Sequence, residues 1–200
     1  KDKIAGKGVI NNRTSCHLFG ILEQAGVKTH FVEKLSDRDM LCRKLKIIPL
    51  EVVTRNVVAG SLSKRSGIAE GVALERPIVE FYYKRDDLGD PMLTEDHIAA
   101  FRIATEDEVH VLRETARKIN QVLCKHMSER GLDLVDFKLE FGRDTTGQIL
   151  LGDEISPDTC RLWDSKTKEK LDKDRFRRDL GRIEESYQDA SDRICGEARK

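Results

Sequence analysis

Hydrophobic and polar residues alternate without a break from Val135 to Phe141. Val135, Phe137, Leu139 and Phe141 fall on one side, and Asp136, Lys138 and Glu140 on the other. A period of two is the mark of a strand with one face in the core. Asp144-Thr145-Thr146-Gly147 supplies turn formers, and Ile149 to Asp153 supplies a returning strand, so the pattern predicts a hairpin. With the turn centred near Thr146, paired residue numbers sum to about 292 or 293, because antiparallel partners sit opposite one another. Glu140 then faces Gly152 or Asp153. Upstream the period lengthens: Val109, Leu112, Ala116, Ile119, Leu123 and Met127 step by three and four. Thr105 and Glu108 form a capping box ahead of them, and Gly131 closes the segment. The spacing predicts a core helix with His110 and His126 on its outer surface.

The remaining elements are read with less contrast. Val9 to Ala25 is a helix candidate that Gly26 would stop, and Gly6-Lys7-Gly8 before it lacks the spacing of a phosphate loop. Val27 to Leu35 is a strand candidate, followed by a turn at 36–39. Ile47 to Ser61 is a long apolar run broken by Pro49, which has no N–H to give a ladder and so predicts a sheet edge or a crossing between sheets. Pro77 to Lys84 is a strand, and Arg85 to Met92 a polar loop. Leu180, Ile183, Tyr187 and Ile194 mark a terminal amphipathic helix. No repeat or low-complexity segment interrupts the chain.

Charge narrows the partners. Charged residues make up 36% of the 200, yet Lys+Arg and Asp+Glu both number 36, which gives no electrostatic ground for nucleic acid or a membrane surface. No apolar run approaches the ~20 residues of a bilayer span. Cys16, Cys42, Cys124, Cys160 and Cys195 are scattered, with neither a CxxC pair nor zinc spacing. That points to reduced thiols and a cytoplasmic protein. The start at Lys1, with no secretory signal, reads as the middle of a longer chain.

Candidate chemistry gathers on the hairpin. Asp136, Lys138, Glu140, Asp153, Glu154, Asp158 and Arg161 crowd into a short span, and Gly142 and Gly152 are expected to keep space open there. Two carboxylates brought together across a hairpin repel unless a cation joins them, and hard oxygen donors suit Mg²⁺. A hairpin with a merely wet polar face is the plainer alternative. Arg55, inside an apolar run, must meet an anion, either a structural carboxylate or a bound phosphate.

Two of these stretches carry a resemblance. IIPLEVVTRNVVAGS (Ile47 to Ser61) and LVDFKLEFG (Leu134 to Gly142) resemble the signature segments of the SAICAR synthetase (phosphoribosylaminoimidazole-succinocarboxamide synthase) family, with GDEISPDTCRLWD and DKDRFRRDLG following in the right order. The likeness runs from about Gly6 to the last helix. It implies an ATP-dependent ligase of purine biosynthesis that joins L-aspartate to the carboxylate of carboxyaminoimidazole ribonucleotide (CAIR), through an acyl phosphate. It also implies an α+β fold of two lobes, related to protein-kinase and ATP-grasp-type folds, with antiparallel sheets, flanking helices and its N-terminal strands missing here. Residues 1–47 would belong to the ATP-binding lobe and 48–200 to the lobe carrying the Mg²⁺ and substrate sites.

By the same resemblance Glu140 and Asp153 match Mg²⁺-binding carboxylates, and Lys138 reaches phosphate or the reacting carboxylate. Ile47, Ile48 and Glu51 match the inter-lobe hinge that meets adenine. Arg55, Ser61 and Arg177 match holders of the ribonucleotide, chiefly its phosphate. Asp158 and Arg161 match the imidazole-carboxylate and aspartate end, and Lys84, Asp86 and Asp90 other substrate-side positions. A homodimer is implied too. Two departures stand out: the family's lysine-bearing glycine-rich loop is absent, so this stretch by itself is expected to bind ATP poorly, and Phe101-Arg102-Ile103 stands where many relatives read Phe-Gly-Trp. A small-molecule kinase, or a silent nucleotide-binding relative, are the competing functions.

Overall fold

In the computed structural model, residues 6–177 and 181–196 are described, and side chains for 6–175 and 181–196. The organising element is β6 (Leu132–Arg143), which has a strand neighbour on each side. Along one edge runs β3 (Lys46–Val57). The other edge is shared: β7 (Ile149–Gly152) pairs the C-terminal end of β6, and β8 (Cys160–Asp164) pairs its N-terminal half. Beyond β3 lie β4 (Ala73–Tyr83) and the short β5 (Met92–Leu93), giving the order β5-β4-β3-β6-β7, antiparallel throughout. The hairpin register is Glu140 to Gly152 and Phe141 to Leu151, the first of the two partners for Glu140 that a turn near Thr146 allows. A separate two-stranded sheet holds β1 (Phe31–Lys34) and β2 (Met40–Cys42). The strand expected over 27–35 is therefore shorter, with Thr29 making only an isolated parallel bridge to Leu151.

One face of the sheet is apolar. Ile48, Leu50 and Val52 of β3 and Phe137, Leu139 and Phe141 of β6 are buried in one cluster with Leu112, Ala116 and Ile119 of α4 (Glu106–Ser128). Thr105 accepts from the Glu108 amide while Glu108 accepts from the Thr105 amide, so the expected capping box is formed. Such caps satisfy donors that the first turn leaves without partners. Leu18, Phe19 and Leu22 of α1 (Lys7–Gln24) join the same core, and α1 packs on α6 (Ile183–Cys195).

Several expectations need correcting. Pro49 sits in the central strand β3, at neither an edge nor a crossing. The β3–β6 register slips between Ile47 and Glu51, and at that bulge a missing N–H breaks no ladder bond. Gly142 and Gly152 do not hold space open. A Cβ on Gly142 would come within 2.8 Å of Leu45 Cβ and 3.0 Å of the Lys46 carbonyl oxygen, and one on Gly152 within 3.1 Å of Leu45 Cδ1. They let the chain entering β3 lie directly on the hairpin. The helices α2 (Gly60–Ser66) and α3 (Glu95–Ala100), and the strand β8, were not anticipated. Leu180, expected on the last helix, lies outside the described residues.

His126 is buried rather than on the helix surface. Its Nε2 lies 2.8 Å from the Ile194 carbonyl oxygen, and its ring centroid is 5.5 Å from that of His17. Burial, with Arg130 nearby, lowers the pKa of both imidazoles. Each then contributes stability that is full above the unfolded value of ~6.5 and is lost as pH falls through the lower folded value. Urea midpoints should therefore decline below about pH 6.5, and more steeply in the wild type than in His17→Gln. Equal slopes would remove the pair from that decline.

Candidate active site

The other face of the sheet is polar, and the strand registers place its charges in rows. Tyr82, Glu51 and Glu140 stand side by side across β4, β3 and β6. Glu80, Val53 and Lys138 form the next row, and Arg55, Asp136 and Arg161 (β3, β6, β8) the third. Glu51, Arg55, Ser61, Asp90, Lys138, Asp153, Asp158 and Arg161 line one polar cavity of about 450 Å³. A larger cavity, of about 680 Å³, is lined by Val57, Cys124 and Trp163. It is mostly apolar and contains none of the expected site residues.

The arginine end is a lattice of ion pairs. Arg55 is only 3% exposed. Its Nε donates to Glu80 at 2.7 Å and its Nη1 to Asp136 at 3.0 Å. Its Nη2 donates to the Ser61 hydroxyl at 3.0 Å and to Tyr82 at 3.2 Å. Of the two anions expected for it, the described contacts are structural carboxylates. Arg65 also reaches Glu80 and donates to the Tyr82 hydroxyl at 2.6 Å. Arg161 donates from Nη1 to both Asp136 oxygens at 2.9 and 2.8 Å and from Nε to Asp174 at 2.8 Å. Burial works against its charged form, but Asp136 and Asp174 outweigh that and hold its pKa above the ordinary arginine value.

Gly60 makes the placement of Arg161 possible. It has φ +54°, and a Cβ there would lie 2.5 Å from Arg161 Nη2 and 2.8 Å from its Cζ. The guanidinium is clamped by two carboxylates and cannot simply swing aside. Gly60→Ala should cost about 1–3 kcal/mol from strain at positive φ together with the overlap, read as a lower urea midpoint. An unchanged midpoint would mean that Arg161 is free to move.

The lysine end has a different balance. Lys138 Nζ donates to Glu51 at 2.6 Å and lies 3.8 Å from Glu140, while Lys84 pairs directly with Glu140. Burial lowers the pKa of Lys138, and the hydrogen bond to Glu51, with Glu140 and Asp153 beyond it, raises it further, so it stays a cation. Glu140 is 4% exposed. Asp153, directly after the Gly152 that pairs with Glu140, has φ +55° and is exposed to the cavity. Asp158 is held by Lys7 at 2.7 Å, Asn11 at 2.8 Å and Tyr187 at 2.7 Å. These contacts keep its pKa low against the opposing effect of burial. Burial and Asp158 push Glu154 up.

Not every expected residue lines this cavity: Glu140 and Lys84, paired with each other, are not among its lining residues. Asp86 lies in an exposed single turn of 3-10 helix (Asp86–Leu88). The Ile48 side chain is in the apolar core, and Ile47 is 39% exposed beside the bulge. Arg177 ends α5 (Asp174–Arg177), and its side chain lies outside the described residues. The sequence reading does not include Glu80, Tyr82 and Asp174, which hold Arg55 and Arg161, or Arg65, which shares Glu80 and Tyr82 with Arg55. Glu80 and Tyr82 alternate with buried Phe81 in β4, a signal the sequence did contain.

Among the described residues, no group of three or more His, Cys, Asp or Glu is gathered as a metal site. Glu140 and Asp153 are nevertheless chemically suited to Mg²⁺, which keeps several waters and takes one or two carboxylates plus substrate phosphates. The cavity thus combines hard oxygen donors and lysines at one end with a hydroxyl and arginines at the other. That combination can hold a metal-bound polyphosphate beside a second anionic substrate.

Comparison with known proteins points the same way. A family model described as SAICAR synthetase matches residues 1–194. A phosphoribosylaminoimidazole-succinocarboxamide synthase of Bacillus mycoides is 59% identical over 196 residues, 98% of this chain and 82% of that protein. One from Chlorobium phaeovibrioides is 60% identical over 194 residues, 97% of this chain and 81% of that protein. Among solved structures, a SAICAR synthetase in complex with ADP has a TM-score of 0.96 at 48% identity, covering 100% of this chain and 85% of that one. The synthase of Ehrlichia chaffeensis has a TM-score of 0.95 at 44% identity, with the same coverage.

Proposed function

From the premise that this chain belongs to the SAICAR synthetase family, we propose how its polar cleft carries out that family's reaction. The reaction joins L-aspartate to the carboxylate of CAIR with cleavage of ATP to ADP and phosphate. A carboxylate is a poor electrophile. One of its oxygens attacks the γ-phosphorus, ADP leaves, and the acyl phosphate so formed is attacked by the aspartate amine. Phosphate then departs with the oxygen that had belonged to the carboxylate, and the amine loses its proton. Such chemistry needs chiefly positioning and charge neutralisation. The observation that carries this reading is the single cavity in which Lys138 and Asp153 face Arg55, Ser61 and Arg161.

Glu140 and Asp153 would hold Mg²⁺, which supplies charge neutralisation for the ATP phosphates. Lys138, fixed by Glu51, stands where it can meet phosphate oxygens or the reacting carboxylate. Residues 47–51 serve as the adenine hinge through backbone groups, since Ile48 turns its side chain into the core. Arg55, Ser61 and Arg177 take the ribonucleotide phosphate: Arg55 is fixed on two carboxylates, and its Nη2 donates to Tyr82, itself held by Arg65 and Glu80, and to the Ser61 hydroxyl, which can turn aside to admit a phosphate oxygen. Arginine's planar fork suits that anion. Asp158 and Arg161 serve the imidazole-carboxylate and aspartate end, with Asp90 in the same cavity and Lys84 and Asp86 as further substrate-side positions. The division at 47/48, a homodimer and a cytoplasmic location belong to the same reading.

The test is isotopic. CAIR labelled with ¹⁸O in its carboxylate, incubated with the full-length enzyme, ATP, Mg²⁺ and L-aspartate, should give inorganic phosphate carrying one ¹⁸O and an amide retaining the other. Phosphate without label would rule out activation of that carboxylate.

A further inference from the structure

The contact between Lys84 and Glu140 serves a purpose that the reaction scheme leaves unassigned. Glu140 is buried on a central strand, with its side chain 5% exposed. Lys84, just past the end of β4, is 42% exposed in its side chain. The Lys84 backbone is anchored, its N–H donating to the Pro49 carbonyl at 3.1 Å, so only its side chain is free to leave. The other lysine cannot take over: Lys138 is committed to Glu51 at 2.6 Å and stands 3.8 Å from Glu140. A buried carboxylate stripped of its cation is strongly unfavourable. In the absence of metal, then, Glu140 needs the ammonium of Lys84.

We infer that Lys84 is a built-in counter-cation that holds Glu140 ready and is displaced when a divalent cation takes its place. Charge balance favours the exchange. Glu51, Glu140 and Asp153 set three carboxylates against the two ammoniums of Lys84 and Lys138. Exchanging one ammonium for a doubly charged ion brings the cluster to neutrality and frees Lys84 for the substrate side of the cleft. The inference rests on the assignment of Glu140 as a metal ligand, proposed above.

Two measurements on the full-length protein separate the two ideas. Mn²⁺ alone is titrated by electron paramagnetic resonance into the wild type, Lys84→Met and Glu140→Gln. Acetylation of Lys84 in the wild type is then followed by mass spectrometry with and without saturating Mn²⁺. Lys84→Met should bind Mn²⁺ about tenfold more tightly, as expected when a competing ligand is removed, and Mn²⁺ should raise acetylation of Lys84 several-fold. Unchanged affinity in Lys84→Met, or no binding in either protein, overturns the inference. So does tighter binding with unchanged acetylation, which would show through-space repulsion without displacement. If Glu140→Gln binds Mn²⁺ like the wild type, it is the metal assignment itself that fails.

Discussion

Asp153→Asn should lower kcat by at least about 100-fold, more than 2.7 kcal/mol of transition-state stabilisation, while leaving the thermal midpoint within a degree or two of the wild type. The change removes one negative charge and almost nothing else. Asp153 holds a left-handed backbone conformation at φ +55°, which asparagine adopts at least as readily as aspartate, so the turn after Gly152 is kept. The side chain faces the cavity rather than the core, and the neighbouring packing of Leu151 and Ile155 is untouched. On the proposed reading, what is lost is a hard anionic donor to the metal ion of the ATP phosphates. Steady-state kinetics at saturating substrates, paired with calorimetry, read the two halves of this expectation. Turnover within threefold of the wild type would remove Asp153 as a metal ligand.

Asp136→Asn should instead act on folding. Asp136 is 4% exposed and stands between the buried guanidinium of Arg55 and the partly buried one of Arg161, accepting from Arg55 at 3.0 Å and from Arg161 at 2.9 and 2.8 Å. The substitution is nearly isosteric, but it removes the one carboxylate that both arginines share and leaves each with a single one, Glu80 for Arg55 and Asp174 for Arg161. Breaking a buried charge pair from one side costs about 3–5 kcal/mol, because the partner's charge stays buried. Urea denaturation should show a loss of that size, and the surviving enzyme should show a raised KM for CAIR. A loss under 1 kcal/mol with unchanged KM would mean that Arg55 and Arg161 are held by Glu80 and Asp174 alone.

The contrast between these two carboxylates bears on what was legible in the sequence. Alternation along 135–141 located the hairpin, its register and the polar face of β6, because a period of two is imposed by the pleat itself. It did not separate Asp136, a buried clamp for arginines, from Glu140, a buried carboxylate paired with a lysine. That distinction depends on which residues β3 and β8 bring alongside. Arg55 could be read as needing an anion because an unpaired charge in an apolar run is costly, yet its partners come from 25 and 81 residues away, beyond any local pattern. His126 was misplaced for a related reason: helical periodicity assigns one buried face, and it does not register α1 and the C-terminal end of α6 meeting His126 from another side. Gly142 and Gly152 suggest open space in the sequence, whereas the missing Cβ atoms are needed for close approach of Leu45 and Ile47. The chemistry of the two ends, metal and polyphosphate against ribonucleotide, came from resemblance; the rows of charge across three strands supply its physical footing.

The most direct measurement is ADP formation by the full-length enzyme from Mg·ATP and CAIR, with and without L-aspartate. Sustained ADP release with one succinocarboxamide formed per ADP, and only when aspartate is present, is the expected result. Sustained ADP release at the same rate without aspartate would contradict it and make the cleft that of a kinase or an ATPase.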